Sequence, residues 1–177
     1  LSTSKGGGKS DRKYNELVTE EQFAWLAKDL AFVPKDYSVI VAMHATTGNL
    51  DSADNRNRLV GSFEGFSNVH FVTGHTHKFS QTALTATCFD HNTGAVCADW
   101  WNSASNTNGA INIGQDGAPA GYSIYNVSGA ELKWQYKPTG ISTDYQFRSY
   151  DRNSINLAAS EVMPDAAEAN KLLFDKY

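Results

Sequence analysis

The stretch VHFVTGHTHKFS, residues 69–80, decides how the fold is interpreted. A β-type run, Val69 to Val72, leads straight into Gly-His-Thr-His, so that His75 and His77 stand where a strand would end. Neutral imidazole is a common metal ligand, and the two-residue spacing after a glycine lets both rings point to one side. On these residues alone two interpretations stay open: a pair of metal ligands, or two polar residues in an ordinary loop.

A second strand and two helices are predicted upstream of this stretch. Val39–Met43 is an unbroken apolar run rich in β-branched residues, which predicts a strand buried on both faces, and it ends at His44. One helix precedes it within residues 17–36, where a Thr-x-x-Gln pair has the spacing of a capping box and apolar residues recur at helical intervals. The other helix is predicted within residues 51–66.

The predicted order is therefore helix, strand, helix, strand, which is typical of an α/β unit with parallel strands. Ligands of open α/β sheets bind at the carboxyl ends of the strands. Both strands deliver histidines there, so His44, His75 and His77 are brought towards one edge by independent parts of the chain. Their convergence strengthens the metal interpretation without excluding the loop interpretation.

The chain changes character after Ser80. Short β-type runs alternate with Gly, Asn, Pro and Ser, and this half is predicted to be antiparallel and all-β. The segment NVSGAEL, residues 126–132, is a predicted hairpin turn. Cys88 and Cys97 flank a second predicted hairpin with its turn at 92–93, so a disulfide is one alternative and two free thiols the other.

Several individual residues carry further expectations. His70 alternates within a strand and is predicted to be packed rather than to bind a metal, whereas His91 lies in the predicted turn and is predicted to be solvated. Of the adjacent Trp100 and Trp101, at least one is predicted to lie in the core, because neighbours in a strand face opposite sides. Residues 163–177 are predicted to form a helix with proline near its start.

The composition limits the function classes. The chain has 177 residues, a hydrophobic content of 41% and a net charge of −4, which indicates a globular protein and argues against a nucleic-acid groove. A phosphorylated substrate stays compatible, because bound metal ions can supply positive charge locally. No run of 18 apolar residues is present for a membrane span. The polar residues 1–15 lack an apolar signal-peptide region and are predicted to be a loop or a frayed end.

The flanking sequence resembles a known family. The segment VIVAMH, followed by VHFVTGHTH, is similar to the later half of the catalytic domain of calcineurin-like metallophosphoesterases. The segments GAVCADWW, DGAPAGYSIYNVSG and WQYKPTG resemble the β-rich C-terminal domain of some bacterial members. The resemblance covers roughly residues 15–150. Carried over residue by residue, it implies that His44 and His75 serve one metal ion and that His77 serves the other.

The resemblance also implies a fold and an activity. The fold would be α/β, with the second half of a four-layer αββα sandwich in residues 1–86 and a mostly antiparallel, incomplete β domain in residues 87–177. The activity would be hydrolysis of phosphomonoesters or phosphodiesters with two divalent metal ions, Mn, Fe or Zn. The partner would be a small phosphorylated substrate, and the location would be periplasmic or extracellular.

One departure from the family pattern matters. The upstream D-x-H, GD and G-N-H motifs are absent, and Leu50 follows Gly48-Asn49 where the last motif would need histidine. The chain is therefore expected to be a piece of a longer protein and to be inactive alone, with its catalytic and substrate-binding residues unassigned. A rival hypothesis is a non-catalytic β-sandwich module that binds a glycan or a surface partner and is attached to a relic phosphoesterase domain.

Overall fold

The computed structural model describes most of the chain, and the statements below concern these residues: 1–6, 14–95, 113–114 and 116–147. Two α-helices and a short 3₁₀ turn are present there: α1 (Glu20–Leu30), α2 (Ala53–Gly61) and the turn Thr47–Asn49. The strands in chain order are β1 (Ser4–Gly6), β2 (Tyr14–Glu16), β3 (Ser38–Ala42), β4 (Asn68–Thr73), β5 (Ser80–Ala83), β6 (Cys88–Asn92), β7 (Gly121–Ser128) and β8 (Glu131–Pro138). None of the described helices is long and apolar enough to cross a membrane.

The central element is a four-stranded sheet with the order β3-β4-β6-β5. Strand β4 pairs in parallel with β3 on one side and with β6 on the other, while β5 closes the sheet in antiparallel pairing with β6. Helix α2 connects β3 to β4, as a parallel connection requires. The predicted helix, strand, helix, strand unit is therefore confirmed.

Helix α1 begins where the sequence predicted. The Thr19 side chain accepts a hydrogen bond from the backbone N–H of Gln22, and the Gln22 side chain accepts one from Thr19, which completes the capping box. The helix buries Phe23, Leu26 and Leu30 along one face. These side chains belong to the main core, so the amphipathic pattern sets how the helix packs.

The two faces of the sheet have different surroundings. Val69 and Phe71 of β4 and Cys88 of β6 are buried in the same core as the helices. Residues of opposite parity face the other way, because side chains alternate along a strand. His70 and His91 lie on that second face, where His91 makes an edge contact with Trp134 at a centroid distance of 4.3 Å. Part of the β7–β8 hairpin therefore packs against this face of the sheet.

The prediction for strand β3 was wrong in one respect. Val41 is buried, but Ile40 is 45% exposed, so the strand is not buried on both faces. The physical reason is its position, since β3 is the outermost strand of the sheet and pairs only with β4 in the described part. An apolar run in the sequence does not distinguish a covered strand from an edge strand.

The prediction of an antiparallel β-rich second half holds for the β5–β6 and β7–β8 pairs, and it was wrong for the other side of β6. Strand β6 pairs in parallel with β4, and the backbone N–H of Thr93 donates to the carbonyl of Thr73 at 2.8 Å, which continues that pairing. The chain therefore does not reverse at 92–93. Cys88 is a buried free thiol, and Cys97 lies outside the described residues.

The start of the chain is more ordered than predicted. Strands β1 and β2 form an antiparallel pair instead of a frayed end. Thr3 is fully buried, and its hydroxyl accepts a hydrogen bond from the backbone N–H of Ala45 at 2.9 Å. This contact ties the first residues to the segment that follows His44.

The second half contains the predicted hairpin. Strands β7 and β8 form a two-stranded sheet, and Gly129 supplies the positive φ, 59°, that the tight turn requires. In β8, Leu132 is buried, whereas Trp134 is 42% exposed.

The segment DGAPAGY, residues 116–122, forms a turn against the base of this hairpin. The Tyr136 hydroxyl donates a hydrogen bond to the carbonyl of Pro119. A Cβ at Gly121 would lie 2.4 Å from the carbonyl oxygen of Lys137, so no larger residue fits there without moving the backbone. Burial and the nearby charge of Asp116 raise the pKa of Tyr136 to about 12. The contacts of Pro119 and Gly121 with β8 thus give a packing reason for proline and glycine at these two positions.

Chain contacts define two compact units, which are residues 1–95 with 123–135, and residues 96–122 with 136–177. The mixed α/β class is confirmed, while the four-layer sandwich and the division into 1–86 and 87–177 stay predictions. The expectations for Trp100, Trp101 and the helix at 163–177 concern residues outside the described part.

Candidate metal centre

Backbone pairing brings two of the three predicted ligands to one place. Beyond strand β3, the N–H of Met43 donates to the carbonyl of Val72 at 3.1 Å, and the N–H of Gly74 donates to the carbonyl of His44 at 2.9 Å. These bonds extend the parallel ladder past the ends of both strands. His44 and His75 therefore emerge side by side at the carboxyl edge of the sheet.

The Gly-His-Thr-His segment has an unusual backbone. The N–H of Thr76 donates to the carbonyl of Gly74 at 2.9 Å, and His75 between them has a φ of 73°. This combination is a γ-turn with positive φ, a rare and strained form. His77 also has a positive φ, 59°, and within the described residues these two are the non-glycine positions with that property. Such backbone costs on the order of 1–3 kcal/mol per residue and concentrates at functional sites.

The imidazoles of His44 and His75 meet at a distance suited to a shared ligand. His44 Nε2 and His75 Nδ1 are 3.2 Å apart, and the two rings are nearly perpendicular at 80°. For two metal–nitrogen bonds of about 2.1 Å, this separation corresponds to an angle of about 100° at one ion, between the octahedral and tetrahedral values. The donor pair fits one divalent cation.

Two further side chains orient His75. Its Nε2 lies 2.8 Å from a carboxylate oxygen of Glu16, and its Nδ1 lies 3.4 Å from the hydroxyl of Tyr14. Because a carboxylate only accepts hydrogen bonds, Nε2 carries the hydrogen of that contact. In the neutral ring the lone pair then sits on Nδ1, on the side of His44. A carboxylate behind a ligating imidazole is the usual arrangement at metal sites, since it fixes the tautomer and the ring orientation.

His77 follows two residues later in the same strained turn. Within the described ranges no group of three His, Cys, Asp or Glu side chains is arranged to hold a metal ion. The structure therefore supports a two-nitrogen donor pair, and the assignment of all three histidines as ligands stays a prediction.

Asn92, at the end of β6, anchors the Gly-His-Thr-His turn through its side chain. Its side-chain N–H groups donate to the hydroxyl of Thr76 and to the carbonyl of Lys78. Asn92 is 4% exposed, and its Oδ1 is buried with no hydrogen-bond partner in the described part of the chain. A buried acceptor without a donor costs about 1–3 kcal/mol, so this oxygen marks a place where a water or ligand hydroxyl would be stabilised.

Asp90, two residues earlier on the same strand, anchors the loop that follows His44. One carboxylate oxygen accepts hydrogen bonds from the N–H and the hydroxyl of Thr47, at 2.7 and 2.6 Å, and the other accepts from the Thr73 hydroxyl at 2.6 Å. All three residues are buried. Asp90 thus joins the loop after β3 to strand β4.

On the opposite face of the sheet, His70 and His91 form a second imidazole pair. His70 Nδ1 lies 2.8 Å from His91 Nε2, and His70 Nε2 lies 2.8 Å from the side-chain oxygen of Asn68. The prediction that His70 is packed is confirmed, and the prediction that His91 is solvated was wrong, because His91 is 4% exposed within β6. Burial lowers the pKa of both rings, and for His91 the neighbouring His70 lowers it further while Asp90 opposes the shift.

Sequence reasoning missed the residues that support the site. Glu16 and Tyr14 lie in a segment that reads as a polar loop, and no local pattern connects them with a turn some sixty residues away. The roles of Asp90 and Asn92 were missed because HNTG, residues 91–94, has the composition of a turn. Their alternate spacing after Cys88 was the available signal, since it places two polar side chains on one face of a strand.

Comparison with known proteins relates the later part of the chain to one family. Residues 90–173 match the family model described as the C terminal of calcineurin-like phosphoesterase. This later part of the chain is similar to the C-terminal domain of calcineurin-like phosphoesterases. The resemblance seen in the sequence is thereby confirmed, and it relates the chain to hydrolases that act on phosphoesters. No curated protein matches the chain. The match begins at Asp90 and covers the DGAPAGY turn and the β7–β8 hairpin, while His44, His75 and His77 lie before it.

Proposed function

We propose that this chain carries the later ligands of a dinuclear metal site that hydrolyses phosphomonoesters or phosphodiesters. His44 and His75 would hold one divalent ion and His77 the other, with Mn, Fe or Zn as the ions. The observation that carries the proposal is the 3.2 Å separation of His44 Nε2 and His75 Nδ1 at the end of two parallel strands. The family match supports a relation to phosphoesterases.

When bound, the ions would act as Lewis acids on the phosphoryl oxygens and lower the pKa of a bound water. The residues of this chain do the positioning. Glu16 accepts the hydrogen of His75 Nε2 and so keeps the Nδ1 lone pair on the side of His44. Asn92 holds the turn through Thr76 and Lys78, which limits rotation of the segment that carries both histidines.

The proposal extends to the substrate and the location. A small phosphorylated molecule fits a chain with a net charge of −4, because the positive charge that attracts it would come from the ions. A periplasmic or extracellular location is proposed from the resemblance to bacterial members with this β domain. Secretion of the full-length protein into the periplasmic or culture fraction would test that part.

The experiment uses the full-length protein that contains this chain. We expect manganese- or zinc-dependent hydrolysis of p-nitrophenyl phosphate or bis(p-nitrophenyl) phosphate. His44→Ala and His75→Ala should each lower kcat/KM at least 100-fold and reduce the bound metal measured by mass spectrometry. Lys78→Ala is the matched control, since Lys78 is exposed and follows the same turn. Unchanged activity and metal content in His75→Ala would contradict the proposal.

Two further outcomes separate the alternatives. A full-length protein that stays metal-free and inactive while its β domain retains a sugar would favour the binding module. The 177-residue chain alone is expected to turn over little, because it lacks the family's upstream ligand motifs. Robust turnover by this chain that disappears in His75→Ala would show that the site is complete without them.

A further inference from the structure

A polar cleft opens beside the histidine turn. It has a volume of about 750 Å³ and is bounded by the loop after His44, helix α2, Thr76 and strand β5. Thr76 stands between His75 and His77 in the chain, so the cleft reaches the histidine turn at this residue, although His44, His75 and His77 do not line it. The volume is within the range of small-molecule sites and exceeds what a phosphoryl group needs.

The floor of the cleft is a polar face of the sheet. Ser80 pairs with Asn92, and Thr82 pairs with Asp90, so the four side chains stand on the same face of the β5–β6 ladder. Strand β5 is an edge strand with all four residues exposed. The floor thus offers hydroxyl and amide groups, and the buried Oδ1 of Asn92 is an acceptor that lacks a donor within the described residues.

Among the described lining residues, Arg56 supplies the positive charge of the cleft. Arg56 of α2 lines the cleft, and the described residues give its guanidinium neither an ion pair nor a hydrogen bond. The acid on the floor, Asp90, already accepts three hydrogen bonds from Thr47 and Thr73. Within the described part of the chain, the cleft therefore combines neutral hydrogen-bonding groups with the Arg56 guanidinium, which has no ion pair there, and with the Asp90 carboxylate, whose oxygens are bonded to Thr47 and Thr73.

We propose that this cleft binds the alcohol portion of the phosphoester, and that this portion is a polyhydroxylated group of sugar size with a second anionic substituent held by Arg56. The hydroxyls of such a group match Ser80, Thr82 and Asn92, and the anion matches the guanidinium. The inference rests on the proposed phosphoesterase function, because the position of the cleft beside the histidine turn makes it a leaving-group site.

The test compares two substrates that differ by one phosphate, glucose 1-phosphate and glucose 1,6-bisphosphate, in the full-length protein. We expect wild type to prefer the bisphosphate, and Arg56→Gln to lower that preference in kcat/KM at least tenfold, mainly through KM. Arg58→Gln is the matched control, because Arg58 lies two residues away on α2 and pairs with Glu20 outside the cleft. An equal preference in wild type, or the same loss in both variants, would overturn the inference.

Calorimetry separates this inference from the proposed function. Binding of glucose 1,6-bisphosphate to the metal-free protein does not require turnover. Binding that weakens at least tenfold in Arg56→Gln and not in Arg58→Gln supports the cleft, even for a protein that hydrolyses no phosphoester. Normal hydrolysis of p-nitrophenyl phosphate, together with an affinity for glucose 1,6-bisphosphate that is the same in wild type and Arg56→Gln, would refute binding in the cleft. The phosphoesterase proposal would then stand.

Discussion

Replacing Asp90 with alanine is the change expected to damage the fold beside the site most. Asp90 is 4% exposed, and its carboxylate is the acceptor for three donors: the N–H and hydroxyl of Thr47 and the hydroxyl of Thr73. After the substitution, the backbone N–H of Thr47 is left without its partner in a buried position. The hydroxyl of Thr73 keeps only a longer contact of 3.4 Å to the carbonyl of His91.

The expected cost follows from these contacts. A buried donor that loses its acceptor costs about 1–3 kcal/mol, and each of the two hydroxyl bonds to a charged group contributes about 1 kcal/mol or more. Together they give a loss of about 3–5 kcal/mol in the free energy of unfolding. Domains are stable by about 5–15 kcal/mol, so the loss would remove a substantial part of the free energy of unfolding at 25 °C.

Urea unfolding followed by circular dichroism measures this loss. Asp36→Ala is the matched control, since Asp36 is an exposed carboxylate before β3, and it should change the unfolding free energy by less than about 0.5 kcal/mol. Thr47→Ala, which removes one hydroxyl and keeps the N–H, should cost about 1 kcal/mol and should add almost nothing in the Asp90→Ala background. A loss below about 1 kcal/mol in Asp90→Ala would refute the reasoning.

The remaining predictions concern the buried histidine pair, one glycine and one thiol. Burial lowers the pKa of His70 and His91, so below a pH of about 6.5 the unfolded chain binds protons that the folded chain does not. The free energy of unfolding should therefore fall by up to about 1.4 kcal/mol per pH unit for each ring. In urea titrations, the double variant His70→Asn/His91→Asn should show a shallower fall between pH 7 and 5, and a slope identical to that of wild type would contradict the burial of the two rings. Gly121→Ala should lower Tm by several degrees or more, because the added Cβ would clash with backbone. In the control Gly129→Ala, the added Cβ meets no atom within 4 Å, so the cost should come only from the strain of a positive φ at a residue other than glycine. Tm values near wild type for both variants would show that the DGAPAGY turn can accommodate a side chain at residue 121. Burial, reinforced by the charge of Asp90, raises the pKa of the Cys88 thiol to about 11. Peptide mapping after iodoacetamide treatment at pH 8 should therefore find Cys88 modified only in urea. Rapid labelling of Cys88 in the native protein would contradict its burial.

Periodicity and strand order predicted the part of the site that depends on local pattern. The apolar runs that end at His44 and before His75 lie in adjacent parallel strands, and this pairing alone brings the two rings together. The helix that precedes β3 was equally predictable, because a capping box and an apolar stripe are both local signals.

The parts that could not be predicted depend on contacts between distant segments. Glu16 reaches His75 only because strand β2 packs beside the turn, and no property of the residues around Glu16 encodes that neighbour. His91 was interpreted as solvated because Asn-Thr-Gly has turn composition, yet pairing with β4 keeps this segment extended. The exposure of Ile40 likewise depends on what lies beside β3 and not on the run itself.

The central claim is that His44 and His75 bind one metal ion. Anomalous diffraction from crystals of the manganese- or zinc-loaded full-length protein tests it most directly. We expect an anomalous peak about 2.1 Å from both His44 Nε2 and His75 Nδ1, with Glu16 still bonded to His75 Nε2, and a second peak at His77. A fully loaded protein with no peak between His44 and His75 would contradict the proposed metal site.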